Sequence, residues 1–170
     1  MSGGWTAPGY THHGELGLGI GGRVMLAAHD DSGALVAIKY LTGRLCADRE
    51  HLDRLRTVVR ALAELDDPHL VRIHEYVERP RAAAIVMDLV DGITLQHVIG
   101  AEGTIGPQAA LTVLERSLRG LATAHQAGVV HGGYKPTNVL IGADGRSRLT
   151  DFGIAGPGLF GAGVPVYLAP

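Results

Sequence analysis

LGLGIGGRVMLAAHDDSGALVAIKYL, residues 16–41, is the stretch of sequence that decides the fold. It begins with three glycines in a GxGxxG pattern, Gly17, Gly19 and Gly22. An apolar run, the turn signal DDSG at residues 30–33 and a second apolar run follow, and together they predict an antiparallel hairpin. A dinucleotide-binding fold places a helix directly after such glycines. The stretch therefore argues against that fold and predicts a glycine-rich loop beside two antiparallel strands.

The composition of the chain is that of an ordinary globular domain. Its 170 residues are 46% hydrophobic and 19% charged, with a formal net charge of -2, so a core can form. This balance provides no electrostatic attraction for nucleic acid or for an anionic membrane. The single cysteine, Cys46, excludes a disulfide within the chain, and no apolar run reaches the roughly 18 residues of a membrane span. We therefore expect a cytoplasmic protein, and the scattered histidines do not predict a zinc site.

Hydrophobic periodicity divides the chain into a mostly β half and a mostly α half. Residues 1–13 are rich in glycine and polar residues and predict a flexible tail. Leu55, Val59 and Leu62 recur at steps of three or four residues, which predicts a helix over residues 47–65. The other predicted elements are strands at residues 70–78 and 82–90, a short helix at 95–99, a long helix at 107–128 and two short strands in VLIG and SRLTDFG.

Three further motifs follow the glycine pattern. Lys39 stands in VAIK, seventeen residues after Gly22, HGGYKPTNVL occupies residues 131–140, and LTDFG occupies residues 149–153. With a gatekeeper-like Met87, the order and spacing of these motifs resemble those of the eukaryotic-like serine/threonine protein kinases of bacteria. The resemblance covers residues 10–170, which is nearly the entire chain.

This resemblance implies an α+β, two-lobe protein kinase-like fold. The N-lobe, residues 14–90, would be an antiparallel β-sheet with one main helix. The C-lobe, residues 91–170, would be partial and mainly α-helical, and it would end in YLAP at the start of the family's APE motif. Residues 1–13 would precede the N-lobe as its tail.

The resemblance also implies a site for ATP and Mg²⁺. In that family the glycine loop covers the nucleotide phosphates, which assigns Gly17, Gly19 and Gly22 to them. Lys39 would bind the same phosphates, and Lys135 would help to hold the transferred phosphate.

The adenine and the metal would have their own residues. Val24, Ala37 and Leu140 would enclose the adenine, and the backbone of a hinge from Asp88 to Val90 would read its edge. The two magnesium ligands of the family fall on Asn138 and Asp151, whose oxygen atoms suit that ion. The apolar column that couples the two lobes of the family falls on His131, Phe152, Leu62 and Ile73.

The catalytic loop departs from the family pattern. The family reads HRD where this chain reads HGG, so Gly133 replaces the acid that accepts the proton of the substrate hydroxyl. Gly132 replaces the neighbouring arginine, and residues 151–170 contain no serine or threonine that could be phosphorylated. Val164 stands where the family has a threonine in its substrate-side loop. These changes predict a catalytically impaired kinase.

A second departure concerns the helix over residues 47–65. The family places the glutamate that pairs with the strand lysine ten residues before the proline of its HPN motif, and this count from Pro68 falls on Val58. Glu50 is eight residues away, which is roughly 12 Å along a helix axis. Glu64 is six residues away and faces another side of the helix. Neither acid is expected to take the role of the family glutamate.

Three functions remain open from the sequence. The favoured one is a kinase-like domain that binds Mg-ATP, transfers phosphate poorly or not at all, and regulates or scaffolds other proteins. The first alternative is a weakly active serine/threonine kinase that transfers the γ-phosphate of ATP to protein. The second is an interaction module, or a truncated remnant, that binds no nucleotide.

The long predicted helix has an apolar face that needs a covering. It consists of Leu111, Leu114, Leu118 and Leu121, with His125 at its end. In the family, helices that follow the APE motif pack in this part of the C-lobe. We therefore expect either a protein partner or a further C-terminal region to cover these leucines, because exposed leucines form a sticky surface.

Overall fold

The computed structural model describes residues 5–19 and 21–154. They fall into two compact units. The first contains the chain up to Arg56 together with Ile73–Leu89, and the second contains Thr57–Arg72 together with the chain from Val90 onward. None of the helices in the described part of the chain is long and apolar enough to cross a membrane.

The first unit is built on a five-stranded antiparallel sheet. Its strands are β1 (Tyr10–Gly19), β2 (Gly22–His29), β3 (Leu35–Leu41), β4 (Ile73–Arg79) and β5 (Ala82–Asp88), in the spatial order β1-β2-β3-β5-β4. The predicted hairpin is confirmed, since β2 and β3 pair from Gly22 with Leu41 to Ala28 with Leu35. At its turn, the N–H of His29 donates to the carbonyl of Ala34 at 2.9 Å. This topology makes β3 an inner strand.

One face of this sheet is closed by the start of the chain. Val36, Ile38 and Tyr40 are buried on it, and Ala7 is buried against the same cluster. The N–H of Ala7 donates to the Tyr40 hydroxyl at 2.9 Å, and the ring of Trp5 meets the Tyr40 ring edge-on at 5.6 Å. The prediction of a flexible tail over residues 1–13 is wrong for residues 10–13, which lie in β1. The physical reason is that residues 10–12 pair with β2, Tyr10 with His29 and His12 with Ala27.

The structure has a short helix and a longer one around the single predicted helix over residues 47–65, and only the longer one corresponds to it. They are α1 (Gly43–Ala47) and α2 (Arg49–Ala63), and they are separated at Asp48. The Asp48 carboxylate accepts a hydrogen bond from the N–H of His51 at 3.0 Å. An aspartate that accepts from the first turn in this way starts a new helix. The predicted start at residue 47 was therefore early, while the body of the helix is confirmed.

The second unit contains two further helices and a small sheet. Its elements are α3 (Leu95–Glu102), α4 (Pro107–Gln126), a 3₁₀ turn at Pro136–Asn138, and the antiparallel strands β6 (Gly92–Thr94), β7 (Val139–Gly142) and β8 (Ser147–Leu149), in the order β6-β7-β8. β6 was not predicted, because three residues carry no periodicity. The start of α4 at Pro107 is confirmed, and proline suits this first helical position because its missing N–H is not needed there.

Helix α4 buries its small residues and exposes its leucines. Ser117, Gly120 and Ala124 are its buried residues. A Cβ on Gly120 would lie 3.0 Å from the carbonyl oxygen of His69, so the helix packs closely on that segment. On the opposite side, exposed fractions are 60% for Leu111, 48% for Leu114 and 56% for Leu118. Three of the four leucines expected on this face are thus exposed, whereas Leu121 is half-buried.

Candidate active site

The glycine pattern lies where β1 leads into β2. A Cβ added to Gly17 or Gly19 would meet no heavy atom within 4 Å, so both glycines border open space. Gly22 differs, because its φ is 141° and an added Cβ would overlap with the backbone carbonyl of Tyr40. The first two glycines therefore have open space where a side chain would stand, whereas the third is required by the packing of β2 on β3.

Lys39 lies at the centre of the sheet in the first unit. It pairs in register with Val24 of β2 and with Ile85 of β5, and only 4% of its surface is exposed. Directly opposed residues of an antiparallel pair share a face, and so do residues two apart on one strand. Val24, Ala37 and Lys39 therefore line the same face. An exposed lysine on an edge strand, the simplest alternative for this position, is excluded by the burial.

The predicted hinge begins at the end of β5. Met87 pairs with Ala37 and is buried, which places it on the same face as Lys39. Asp88 closes the strand and is exposed, and its carboxylate interacts with Nε2 of His74 at 2.7 Å. Leu89 ends the first unit and Val90 opens the second. The Asp88 side chain is thus directed to His74 on β4, and any role of Asp88 in the hinge would belong to its backbone.

The loop before β7 is organised around the Asn138 side chain. Nδ2 of Asn138 donates to the carbonyl oxygen of Gly133 at 2.8 Å, and Asn138 is 7% exposed. Its backbone N–H donates to the carbonyl of Lys135 at 2.9 Å across the 3₁₀ turn. The Thr137 hydroxyl donates to Oδ1 of Asn138 at 3.2 Å. An oxygen atom with two lone pairs keeps one for a further contact, so Oδ1 can still act as a ligand.

The DFG segment is joined to this loop by its backbone. The N–H of Thr150 donates to the carbonyl of Asn138 at 3.1 Å, and the N–H of Gly153 donates to the carbonyl of His131 at 3.2 Å. The rings of His131 and Phe152 lie 4.2 Å apart. The predicted contact between these two aromatic residues is confirmed, whereas the full column with Leu62 and Ile73 stays a prediction.

His131 is a structural residue of this loop. It is 2% exposed, and burial lowers its pKa, an effect that the Asp151 carboxylate partly opposes. Burial therefore favours the neutral form of the imidazole. A neutral buried ring that packs on Phe152 supports the loop and does not donate a positive charge to a phosphate.

The two glycines of the HGG motif offer only backbone groups. Gly132 has a φ of 71°, a conformation that favours glycine, and it is exposed. Gly133 is buried, and its carbonyl already accepts the bond from Asn138. A glycine has no side chain that could accept a proton. The loop conformation is therefore compatible with glycine at both positions, and the carboxylate of the family is absent from position 133.

Asn138 and Asp151 provide oxygen donors of the kind that Mg²⁺ prefers, an amide oxygen and a carboxylate. Both belong to the second unit, and the bond from the Thr150 N–H to the Asn138 carbonyl joins their segments. In the described part of the chain, no group of three or more His, Cys, Asp or Glu side chains could hold a metal ion. These two residues fit a magnesium ion that takes its remaining ligands from phosphate oxygens and water.

Val58, the residue predicted at the position of the family glutamate, is half-buried on α2. The two acids considered as substitutes are engaged or exposed elsewhere. Glu50 forms an exposed ion pair with Arg54 at 2.6 Å, and Glu64 is exposed just beyond the end of the helix. The assignment of Val58 to the position of the family glutamate stays a prediction.

The predicted site residues are divided between the two units. The first unit holds Gly17, Gly19, Gly22, Val24, Ala37, Lys39 and Asp88, and the second holds Val90, Lys135, Asn138, Leu140 and Asp151. Three contributions were missed from the sequence: the Thr137 hydroxyl, the Gly133 carbonyl and the Thr150 N–H, all of which hold Asn138. Backbone contacts leave no signal in a motif. The residues predicted at 155–170, including Val164, lie outside the described part of the chain.

Comparisons with known proteins agree on a family. The family model described as protein kinase domain matches residues 10–158. Serine/threonine-protein kinase PknA of Mycobacterium tuberculosis is 38% identical over 139 residues, covering 79% of this chain and 32% of PknA. Serine/threonine-protein kinase PkaB of Streptomyces coelicolor is 40% identical over 154 residues, covering 86% of this chain and 36% of PkaB. The chain therefore spans about a third of the length of these relatives.

A solved structure gives the same result. The crystal structure of the PknI kinase domain of M. tuberculosis superposes with a TM-score of 0.83 at 30% sequence identity. The match covers 91% of this chain and 62% of that one. The α+β kinase fold expected from the sequence is confirmed. The chain belongs to the protein kinase family, among the eukaryotic-like serine/threonine kinases of bacteria.

Proposed function

We propose that this kinase domain binds Mg-ATP and transfers its γ-phosphate poorly or not at all, so that its role is regulatory or scaffolding. The observation that carries the proposal is Gly133, a backbone carbonyl bound to Asn138 where the family has a carboxylate. The residues that would hold the nucleotide and the metal are retained. The domain would therefore bind Mg-ATP but transfer little or no phosphate.

The nucleotide would be held by the glycines, a lysine, a set of apolar residues and a stretch of backbone. Gly17 and Gly19 border open space, so phosphates can approach the backbone N–H groups of the loop. Lys39, buried on β3, would place its ammonium group on the same phosphates. Val24, Ala37 and Leu140 would enclose the adenine, and the backbone from Asp88 to Val90 would read its edge.

The metal would be held by Asn138 and Asp151. Bound Mg²⁺ would neutralise charge on the phosphates. Asn138 is held ready for it, because the bond from Nδ2 to Gly133 at 2.8 Å orients the side-chain amide. Lys135 would place a positive charge beside the transferred phosphate.

The missing step is removal of the proton from the substrate hydroxyl. A positioned general base typically contributes about 10² to 10⁴ in rate. Phosphoryl transfer depends mainly on positioning and charge stabilisation, so a residual activity through Lys39, Lys135 and the metal is compatible with the site. A weakly active serine/threonine kinase is accordingly the second candidate, supported by the burial of Lys39 on an inner strand.

We also propose that further polypeptide covers the leucine face of α4. Leu111, Leu114 and Leu118 are exposed in the second unit. The PknI kinase domain is longer than the region it shares with this chain, which covers 62% of it. A continuation of the C-lobe in a longer chain is the favoured covering, and a protein partner is the alternative. A role for ATP further favours the cytoplasm as the location of the domain.

Thermal unfolding with and without ligand tests the binding proposal. Mg-ATP is expected to raise the Tm of the parent chain, because a ligand that binds only the folded state stabilises it by about 2.7 kcal/mol at one hundred times its Kd. Lys39→Ala and Asp151→Ala should each reduce the shift. If millimolar Mg-ATP leaves the Tm of the parent unchanged, so that it behaves like Lys39→Ala, the chain is an interaction module without a nucleotide.

A further inference from the structure

The side chain of Val58 lies against the glycine of the DFG segment. A Cβ placed on Gly153 would be 3.1 Å from Cγ1 of Val58 and 3.3 Å from its Cγ2. Contacts this close leave no space between the Gly153 α-carbon and the valine. The residue that replaces the family glutamate therefore packs on the turn that follows Asp151.

That turn has an unusual backbone. Asp151 has a φ of 67° and Gly153 a φ of 69°, so both lie in the left-handed region on either side of Phe152. A non-glycine residue such as Asp151 adopts this conformation at a cost, and it persists where the surroundings hold it in place. The direction of the Asp151 carboxylate thus depends on what holds the turn.

Several contacts fix the turn from the side of the catalytic loop. The Gly153 N–H is bound to the carbonyl of His131 at 3.2 Å, and the Phe152 ring packs on the His131 ring. Val58 adds a contact from α2. A Cβ on residue 153 would lie so close to the two methyl groups that Val58 would have to shift by a few tenths of an ångström, so the valine limits how far the turn can move toward α2.

We propose that Val58 is a positioning residue for Asp151. By packing on Gly153 it holds the turn in the conformation that directs the Asp151 carboxylate toward a metal ion, so an apolar contact from α2 supports the metal ligand in place of a charged side chain. This inference rests on the proposed function for the identity of the ligand, and on the structure alone for the contact with the turn.

Two measurements on Val58→Ala test the proposal. The variant removes both methyl groups and leaves space beside Gly153. Hydrogen exchange of the amides of residues 150–153, measured without nucleotide, is expected to become faster. The Kd for ATP in Mg²⁺ is expected to rise about three- to tenfold, while the Kd in EDTA stays within about twofold. Val58→Ile, which keeps both branches of the side chain, should leave the exchange rate and the Kd in Mg²⁺ close to those of the parent chain.

The matched control is Val59→Ala on the same helix. Val59 is 2% exposed and is a core residue, so its truncation lowers the Tm by removing buried methyl groups. It should leave the ratio of the two Kd values unchanged. The proposal is overturned if amide exchange at residues 150–153 does not respond to Val58→Ala, or if Val59→Ala changes the Kd ratio as much as Val58→Ala does.

Failure of the proposed function would look different. The parent chain would then bind no ATP in either buffer, while exchange at residues 150–153 would still become faster in Val58→Ala. That pair of results supports the positioning of the turn by Val58 and removes only Mg-ATP as the ligand.

Discussion

The carbonyl oxygen of Gly133 accepts a hydrogen bond from the Asn138 side chain at 2.8 Å, so the loop around this residue is ordered by its backbone. The loop with glycine at position 133 thus keeps a contact that orients Asn138, the residue proposed as a metal ligand. Glycine at position 133 provides no carboxylate, but its main-chain carbonyl still supports the Asn138 side chain. Under the proposed function, ligand binding and proton transfer are separable at this position.

Restoring the acid at residue 133 tests that separation. Gly133→Asp is expected to increase phosphate transfer by less than about 10²-fold, the lower limit for a well-placed general base. The gain should be incomplete because Val58 still stands at the position of the family glutamate. Incorporation of the labelled γ-phosphate of ATP into a generic protein acceptor measures the rate.

Gly133→Asn is the matched control for this substitution. It has nearly the same size as Gly133→Asp but cannot accept a proton as a carboxylate does. Its rate should remain that of the parent chain. Activity of Gly133→Asp at the level of ordinary protein kinases, about 1 to 100 per second, would show that Val58 is no obstacle to catalysis.

At the scale of the elements, strong patterns were predictable and short or aperiodic segments were not. The hairpin of β2 and β3 follows from alternating apolar runs around a turn signal, and the body of α2 follows from Leu55, Val59 and Leu62. β6 contains only three residues, and β1 contains Gly17 and Gly19, whose pattern predicts a loop. Its strand conformation depends on pairing with β2, a tertiary contact that no local pattern encodes.

The candidate site shows the same limit. The order of the motifs predicts Lys39, Asn138 and Asp151 as site residues. The structure places Lys39 on an inner strand, and a backbone hydrogen bond joins the segments that contain Asn138 and Asp151. The spacing could not show that Val58 contacts Gly153, because the contact joins residues 95 positions apart. Nor could it distinguish Gly22, which is required by the carbonyl of Tyr40, from the other glycines of the pattern.

That distinction between the glycines makes a prediction about stability. Gly22→Ala is expected to lower the free energy of unfolding by at least about 2 kcal/mol, because the new Cβ overlaps with the Tyr40 carbonyl and the backbone conformation is strained. Gly19→Ala, whose Cβ meets no atom within 4 Å, should change it by less than about 1 kcal/mol. Urea unfolding of the two variants measures the difference, and equal losses would contradict this account of Gly22.

At the scale of the whole molecule, the leucine face of α4 is the feature that governs whether the chain associates with other polypeptide. Three leucines with exposed fractions of 48% to 60% lie within three turns of one helix. Burying a leucine stabilises a protein by about 1.5 to 3 kcal/mol, so this face favours association with other polypeptide. The behaviour of the 170-residue chain should therefore depend on it.

The double variant Leu114→Lys and Leu118→Lys tests this face. It is expected to reduce self-association and dye binding of the 170-residue chain while leaving its Tm within a few degrees, since both side chains are already largely exposed. Analytical ultracentrifugation gives the oligomeric state. Leu35→Lys, at a site on β3 that is 54% exposed, serves as control and should have no such effect. A monomeric parent chain that the double variant leaves unchanged would contradict the prediction.

The central claim is that this kinase domain binds Mg-ATP but lacks the group that accepts the proton of the substrate hydroxyl. The most direct measurement follows γ-labelled ATP in a single sample with Mg²⁺ and a protein acceptor, and separates bound intact ATP from transferred phosphate. The account predicts that the parent chain binds ATP and that Asp151→Ala loses this binding. It also predicts that the parent chain transfers phosphate at least about 10²-fold more slowly than ordinary kinases. Transfer at about 1 to 100 per second by the parent chain, or the absence of bound ATP, would contradict it.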